Sequence, residues 1–147
     1  MKHTAVWIII VCLLLGLCGC VNIADTTEYK WTGEELFGLP EQASSYTLRH
    51  AGESKLYLNF ERGDRCAAYQ SVLRQLPLNP TSKEGSMDAD IYEITTDYFI
   101  FDDIDNTVEE FTVKLIVSGD MVLYNDQWYE ANTSQLLRQL KRDFANE

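Results

Sequence analysis

Residues 111–129 read FTVKLIVSGDMVLYNDQWY, and this stretch decides the fold. Phe111, Val113, Leu115 and Val117 recur at every second position, with Thr112 and Lys114 between them, which is the period of a half-buried strand. Gly119-Asp120 then turns the chain into a second apolar run, Met121 to Tyr124, and Asn125-Asp126 turns it again into Gln127-Trp128-Tyr129. Such a meander is antiparallel by construction, because two-residue turns leave no room for a crossover.

Working outward, the period changes to that of a helix. Leu136, Leu137, Leu140 and Phe144 form one apolar stripe after a cap at Asn132 or Thr133, and Arg138, Lys141 and Arg142 lie toward the negative end of the dipole. Upstream, Asp90 to Phe101 is rich in Ile, Thr, Tyr and Phe and reads as one long strand or two. Asn79 to Asp90, with Pro80 and Gly85, reads as a polar loop. Before it, Cys66, Tyr69, Val72, Leu73 and Leu76 mark a helix from Arg65 to Leu76, capped by Asp64 and stopped by Pro77. A hairpin precedes that helix. Tyr46, Leu48 and His50 share a face of one strand, Leu56, Leu58 and Phe60 a face of the next, and Ala51 to Ser54 make the turn. The expected fold is α+β, an antiparallel sheet of about five or six strands with two amphipathic helices packed on one face.

The start of the chain obeys different rules. Met1 to Thr4 carries a base, and Ala5 to Leu17 is an unbroken apolar run. Thirteen helical residues reach only ~20 Å, short of the ~30 Å hydrocarbon core, so the run has the length of a secretory leader. A span stretched to Val21 is the competing reading. The residues that follow, Leu17-Cys18-Gly19-Cys20, resemble the lipobox of bacterial lipoproteins: an apolar residue and two small ones before a cysteine. That resemblance implies diacylglyceryl transfer to the Cys20 thiol and cleavage just before it. The alternative register ending at Cys18 sets bulky Leu17 where a small residue is needed. Two or more acyl chains such as palmitate hold a protein stably on a bilayer, whereas one holds it marginally. The expected organisation is therefore 1–19 signal peptide, 20–43 lipidated N-terminus and tether, and 44–147 a single α+β domain at the outer side of the cell membrane. Within the tether, Thr32 and Glu35 have capping-box spacing for one short turn that Pro40 ends. A late meander ending in Trp-Tyr before an amphipathic helix is also similar to small uncharacterised lipoproteins of Gram-positive bacteria, a likeness that implies no activity.

Composition narrows the function. Lys2 leaves with the leader and all 23 acids stay, so 11 bases face 23 acids in the mature chain, a net charge of −12. Nucleic acid as a partner would require clustered bases, and adhesion to anionic lipid would require basic segments. Neither is expected. Cys12 and Cys18 belong to the leader and Cys20 to the lipid, so Cys66 has no disulfide partner within the chain, and His50 is the one histidine beyond residue 19. A structural zinc site and other cofactors are not expected.

The candidate chemistry is thin. Cys66 and His50 are the only conventional nucleophile and base, but Cys66 lies on the apolar stripe of a helix, where a free cysteine usually packs as a small hydrophobe. Asp102, Asp103 and Asp105 form the densest acidic cluster, yet from either Asp102 or Asp103 the sixth and twelfth positions lack the Gly and Glu of a helix-flanked calcium loop. Arg62-Gly63-Asp64 and Asn132-Thr133-Ser134 match short motifs that turn and cap residues explain equally well. Consecutive aromatics at Tyr98 and Phe99 put large rings on both faces of one strand. A ligand or partner surface is therefore expected on the sheet face away from the helices, drawn from Tyr92, Tyr98, Phe99, Tyr124, Trp128 and Tyr129, unless Trp31 and Phe37 of the tether fold back over it. The functional expectation is a membrane-anchored, non-catalytic module that binds a protein or small ligand. An envelope enzyme using Cys66 or a carboxylate metal site is the alternative, and an inhibitor or immunity-type lipoprotein is another.

Overall fold

The computed structural model describes residues 28–41, 45–51, 54–59, 63–87, 90–102 and 104–146. Along the chain run β1 (Trp31–Thr32), α1 (Gly33–Phe37), β2 (Ser45–His50), β3 (Ser54–Leu58), α2 (Gly63–Arg74), β4 (Pro77–Pro80), β5 (Ile91–Asp102), β6 (Thr107–Ser118), β7 (Met121–Tyr124), β8 (Gln127–Ala131) and α3 (Ser134–Ala145). The strands form one sheet in the order β1-β4-β8-β7-β6-β5-β2-β3, and every neighbouring pair is antiparallel. The fold is α+β with an antiparallel sheet, but it has eight strands and three helices among the described residues, where five or six strands and two helices were expected.

The meander of residues 111–129 forms as its alternation predicts. Gly119 takes a positive φ in the β6–β7 turn, and Asn125 and Asp126 both do so in the β7–β8 turn, the left-handed pair that a two-residue hairpin demands. Inward-facing residues line up across the sheet: Tyr46 against Thr96 against Val113, Leu48 against Ile94 against Leu115, and Tyr92 against Val117 against Val122. All are buried. The three helices cover this one face. Tyr69 of α2 packs its ring 5.8 Å from Tyr46, Phe144 of α3 lies 5.8 Å from Tyr92, and Phe37 of α1 meets Tyr124 edge-on at 5.0 Å.

The two additional strands come from segments read as irregular. Pro77–Pro80 lacks two amide donors, yet it pairs with β8 through Leu78↔Ala131 and with β1 through Trp31↔Leu78. Asn79 extends that pairing with its side chain, accepting from the Lys30 amide at 2.6 Å and donating to the Glu28 carbonyl at 3.1 Å. Residues 31–39, assigned to a tether from the sequence, are thus built into the domain. The Thr32–Glu35 capping box forms, and it lowers the Glu35 carboxyl below its usual range, first through the Thr32 amide. Gly38 in the left-handed region ends α1 before Pro40 is reached. Phe37 and Leu39 join the core on the helix side, so Phe37 does not cover the opposite face.

Helix boundaries shift slightly. Gly63 opens α2, leaving Asp64 in the first turn rather than at the cap, and α2 ends at Arg74, short of Pro77. Thr133 occupies the cap position of α3, but its hydroxyl donates to the Gly119 carbonyl at 2.5 Å and so ties the helix start to the β6–β7 turn. Between α2 and α3, the Tyr69 hydroxyl donates to Asp143 at 3.0 Å, and both side chains are buried.

Candidate interaction site

Strands β5 and β6 are each twelve residues long, while β2 pairs with β5 only up to Asp97 and β7 pairs with β6 only from Ile116. From Tyr98 and Phe111 outward, β5 and β6 have only each other among the described residues. The result is a two-stranded arm. Beyond its root at Tyr98, four residues of β5, Phe99 to Asp102, extend ~14 Å at ~3.4 Å per residue.

The root of the arm is fastened. Tyr98 is buried, stacks on Phe111 at 5.3 Å and donates its hydroxyl to the Gly38 carbonyl at 3.3 Å; burial pushes its phenol pKa up. On the other face, Thr112 donates to Asp97 at 2.7 Å. Beyond this root both faces of the arm are apolar and wet. Phe99 (55% exposed), Phe101 (56%) and Val108 (62%) point away from the helical side, Ile100 (47%) is on the helical side, as is Phe111 (36%) at the root, and Ile104 (92%) tops the turn. With aromatic side chains of 150–250 Å² each, the three phenylalanines alone expose on the order of 300 Å². A two-stranded ribbon is marginal in water without a packed face, so apolar residues on both its faces contribute little to this fold by staying exposed.

The six aromatics expected to share one surface do not lie together. Tyr92 and Tyr98 are buried on the helical side, and Tyr124 and Tyr129 pack against the core on that same side. Trp128 does face away from the helices, but Gly85 of the 81–87 loop lies against its indole; a Cβ on Gly85 would fall 2.4 Å from Cζ3. Only Phe99 remains open. The arm residues Ile100, Phe101, Ile104, Val108 and Phe111 were not among the six, although the unbroken Phe99-Ile100-Phe101 run and the apolar Val108 were the signal that could have found them.

The chemical candidates fall in separate places. Cys66 is buried, its thiol donates to the Asn59 carbonyl at 3.4 Å, and burial raises its pKa, which keeps it from the reactive thiolate form. His50 lies elsewhere, with Nε2 2.7 Å from Asp90 and its ring stacked on Tyr92 at 4.5 Å. The His50 hydrogen bond, and then Lys141 at 3.5 Å, hold the Asp90 carboxyl below its ordinary range. Among the described residues no group of three or more His, Cys, Asp or Glu is arranged to hold a metal ion. Asp103 and the side chain of Asp102 lie outside the described residues, as do Arg62 and Cys20, and Asp105 is exposed at the tip of the arm.

Two concavities lie among the described residues. One, of about 450 Å³, runs between the end of α2 and the start of α3, and Arg138 is its single charged lining residue. The other, of about 320 Å³, sits at the foot of the arm between Lys114, Ile116 and Leu123 and the Asn125-Asp126 turn. Among the described residues no helix is long and apolar enough to cross a membrane. Compared with protein-family models, with curated proteins and with solved structures, the chain matches none, and the site therefore rests on its own residues.

Proposed function

We propose that this chain is an exported bacterial lipoprotein, anchored through acyl groups on Cys20, whose domain is a non-catalytic interaction module that docks through the β5–β6 arm. The single observation behind the docking element is the arm itself: six large apolar side chains, Phe99, Ile100, Phe101, Ile104, Val108 and Phe111, exposed on an overhang that the body of the sheet does not need. Natural sheets blunt such free edges or cover them, and an exposed apolar patch of this size on a soluble surface marks an interaction site. The separation of Cys66 from His50, and the burial of the thiol, favour binding over catalysis. The lipobox-like Leu17-Cys18-Gly19-Cys20 supports the anchor.

Two experiments test the two halves. Labelled palmitate should enter the full chain and be lost in Cys20→Ala, which should also leave the detergent phase. Label retained in Cys20→Ala would sink the anchor. For the module, a photoreactive phenylalanine at Phe101 in the full chain in living cells should give a discrete protein adduct that Tyr57, exposed on β3, does not. An arm silent at every position would end the docking reading. Rapid modification of Cys66 in the folded chain would revive the enzyme.

A further inference from the structure

Resting on the reading of the arm as a docking element, we infer what kind of partner it takes: a protein cleft with apolar walls that enclose the arm on both faces, rimmed by lysine and arginine. Two independent features point there. Exposed apolar side chains stand on opposite faces of the same ribbon, Phe99, Phe101 and Val108 on one and Ile100 and Phe111 on the other. A flat partner could cover only one of these sets; a cleft covers both.

Charge supplies the second feature. Residues 98–111 contain Asp102, Asp103, Asp105, Glu109 and Glu110 and no Lys, Arg or His, in a chain of net charge −11. In the register of the arm, Glu110 lies opposite Phe99 and Glu109 opposite Ile100, so each face sets one acid beside an exposed hydrophobe, while Phe101 lies opposite Val108. Apolar burial ringed by acids is complementary to an apolar cleft ringed by bases, and such complementarity sets both specificity and the rate of encounter.

The same residues weigh against the other occupants. A bilayer would have to take Ile104 without its neighbours, but Asp103 and Asp105 flank it directly and carboxylates are costly below the headgroups. Anionic lipid would repel the arm outright. A second copy of this chain would bring two arms of five acids together, and like charges placed opposite each other on paired strands are destabilising.

The test places a photoreactive phenylalanine singly at Ile100, at Phe101 and at Tyr57 in the full chain, in cells, with and without the paired substitutions Glu109→Lys and Glu110→Lys. The expected result is one adduct of the same mass from Ile100 and from Phe101 and none from Tyr57. Its yield falls at least about tenfold on charge reversal, and peptide mapping puts the joined residue beside lysine or arginine. Unfolding curves of the charge-reversed chain, unchanged because both glutamates are exposed, separate lost docking from lost folding. An adduct from one face alone, or one indifferent to charge reversal, overturns the cleft while leaving the docking arm in place. An adduct of twice the chain's mass overturns it in favour of self-association. Phospholipid adducts, with cosedimentation of the full chain on phosphatidylglycerol vesicles, overturn it in favour of the bilayer. No adduct at either arm position overturns the docking reading and this inference together.

Discussion

Tyr69→Phe removes one oxygen from the interface between α2 and α3 and should destabilise the fold by about 2 kcal/mol. The hydroxyl donates to Asp143 at 3.0 Å, and Asp143 is 2% exposed, so no water replaces the lost donor. A hydrogen bond to a charged group contributes about 1.5–3 kcal/mol, and because phenylalanine keeps the ring, the packing against Tyr46 is little changed. Arg142 remains 3.3 Å from the other carboxylate oxygen, but its side chain is 65% exposed and compensates weakly. Asp143→Leu should cost a similar amount, since it orphans the buried phenol. The double variant should cost less than the sum by about 1.5 kcal/mol or more, because both unsatisfied groups are then gone. The pH dependence carries an independent sign. Burial first, and then the Asp143 charge, raise the Tyr69 phenol well above its ordinary value. A raised folded pKa means that the stability it contributes is complete below the unfolded value near pH ~10 and is lost as pH climbs from there toward the folded pKa, at roughly 1.4 kcal/mol per pH unit. Tyr69→Phe should therefore narrow its deficit against the parent above that pH. Equilibrium urea unfolding, followed by tryptophan fluorescence and circular dichroism, reads all of this. A single variant within about 0.5 kcal/mol of the parent, or strictly additive costs, would refute the buried-pair reasoning.

Gly33→Ala should destabilise by about 3 kcal/mol, because its Cβ would lie 1.8 Å from the Leu73 carbonyl oxygen, a backbone atom that cannot rotate away, and moving α1 breaks the 2.9 Å bond from Gly33 to Leu76. The same unfolding curves check it, and an unchanged midpoint would mean that residues 31–39 are not docked. At the acid end, Asp90 has a lowered folded pKa, so its contribution is present above the unfolded value near ~3.9 and disappears as pH falls through the folded one. Asp90→Asn should flatten that acid limb, measurable as a smaller stability difference between neutral pH and pH values below ~4.

The parts of the fold that were legible in the sequence are those in which local pattern and tertiary environment agree. The 111–129 meander, the β2–β3 hairpin and α3 each carry one wet and one dry side, and in each the period alone assigned the element. Pro77–Pro80 was not legible, because two prolines in four residues argue against a strand, and the pairing there depends on Asn79 reaching across to Glu28 and Lys30, 51 and 49 positions away. Residues 31–39 were misread for a related reason. Two strand residues and one turn of helix have no stability of their own, and they hold their place only because Gly33 lets α1 approach the end of α2.

The arm is the instructive failure. An apolar run that ignores period two, such as Phe99-Ile100-Phe101, has the same signature whether a strand is covered on both faces or stands out from the body with neither face covered. Composition cannot separate the two cases, since the residues are identical and only their neighbours differ. Strand length can. A twelve-residue strand beside partners of six and four residues must overhang, and the overhang falls at the end away from the short partners. Here the sequence of that end, residues 98–111, holds the three phenylalanines and five acids. Were the arm only a mispacked piece of core, its acids would be a liability that no burial on this chain could relieve. An acid set beside an exposed hydrophobe on each face makes sense where a surface outside the chain supplies the bases and the apolar walls.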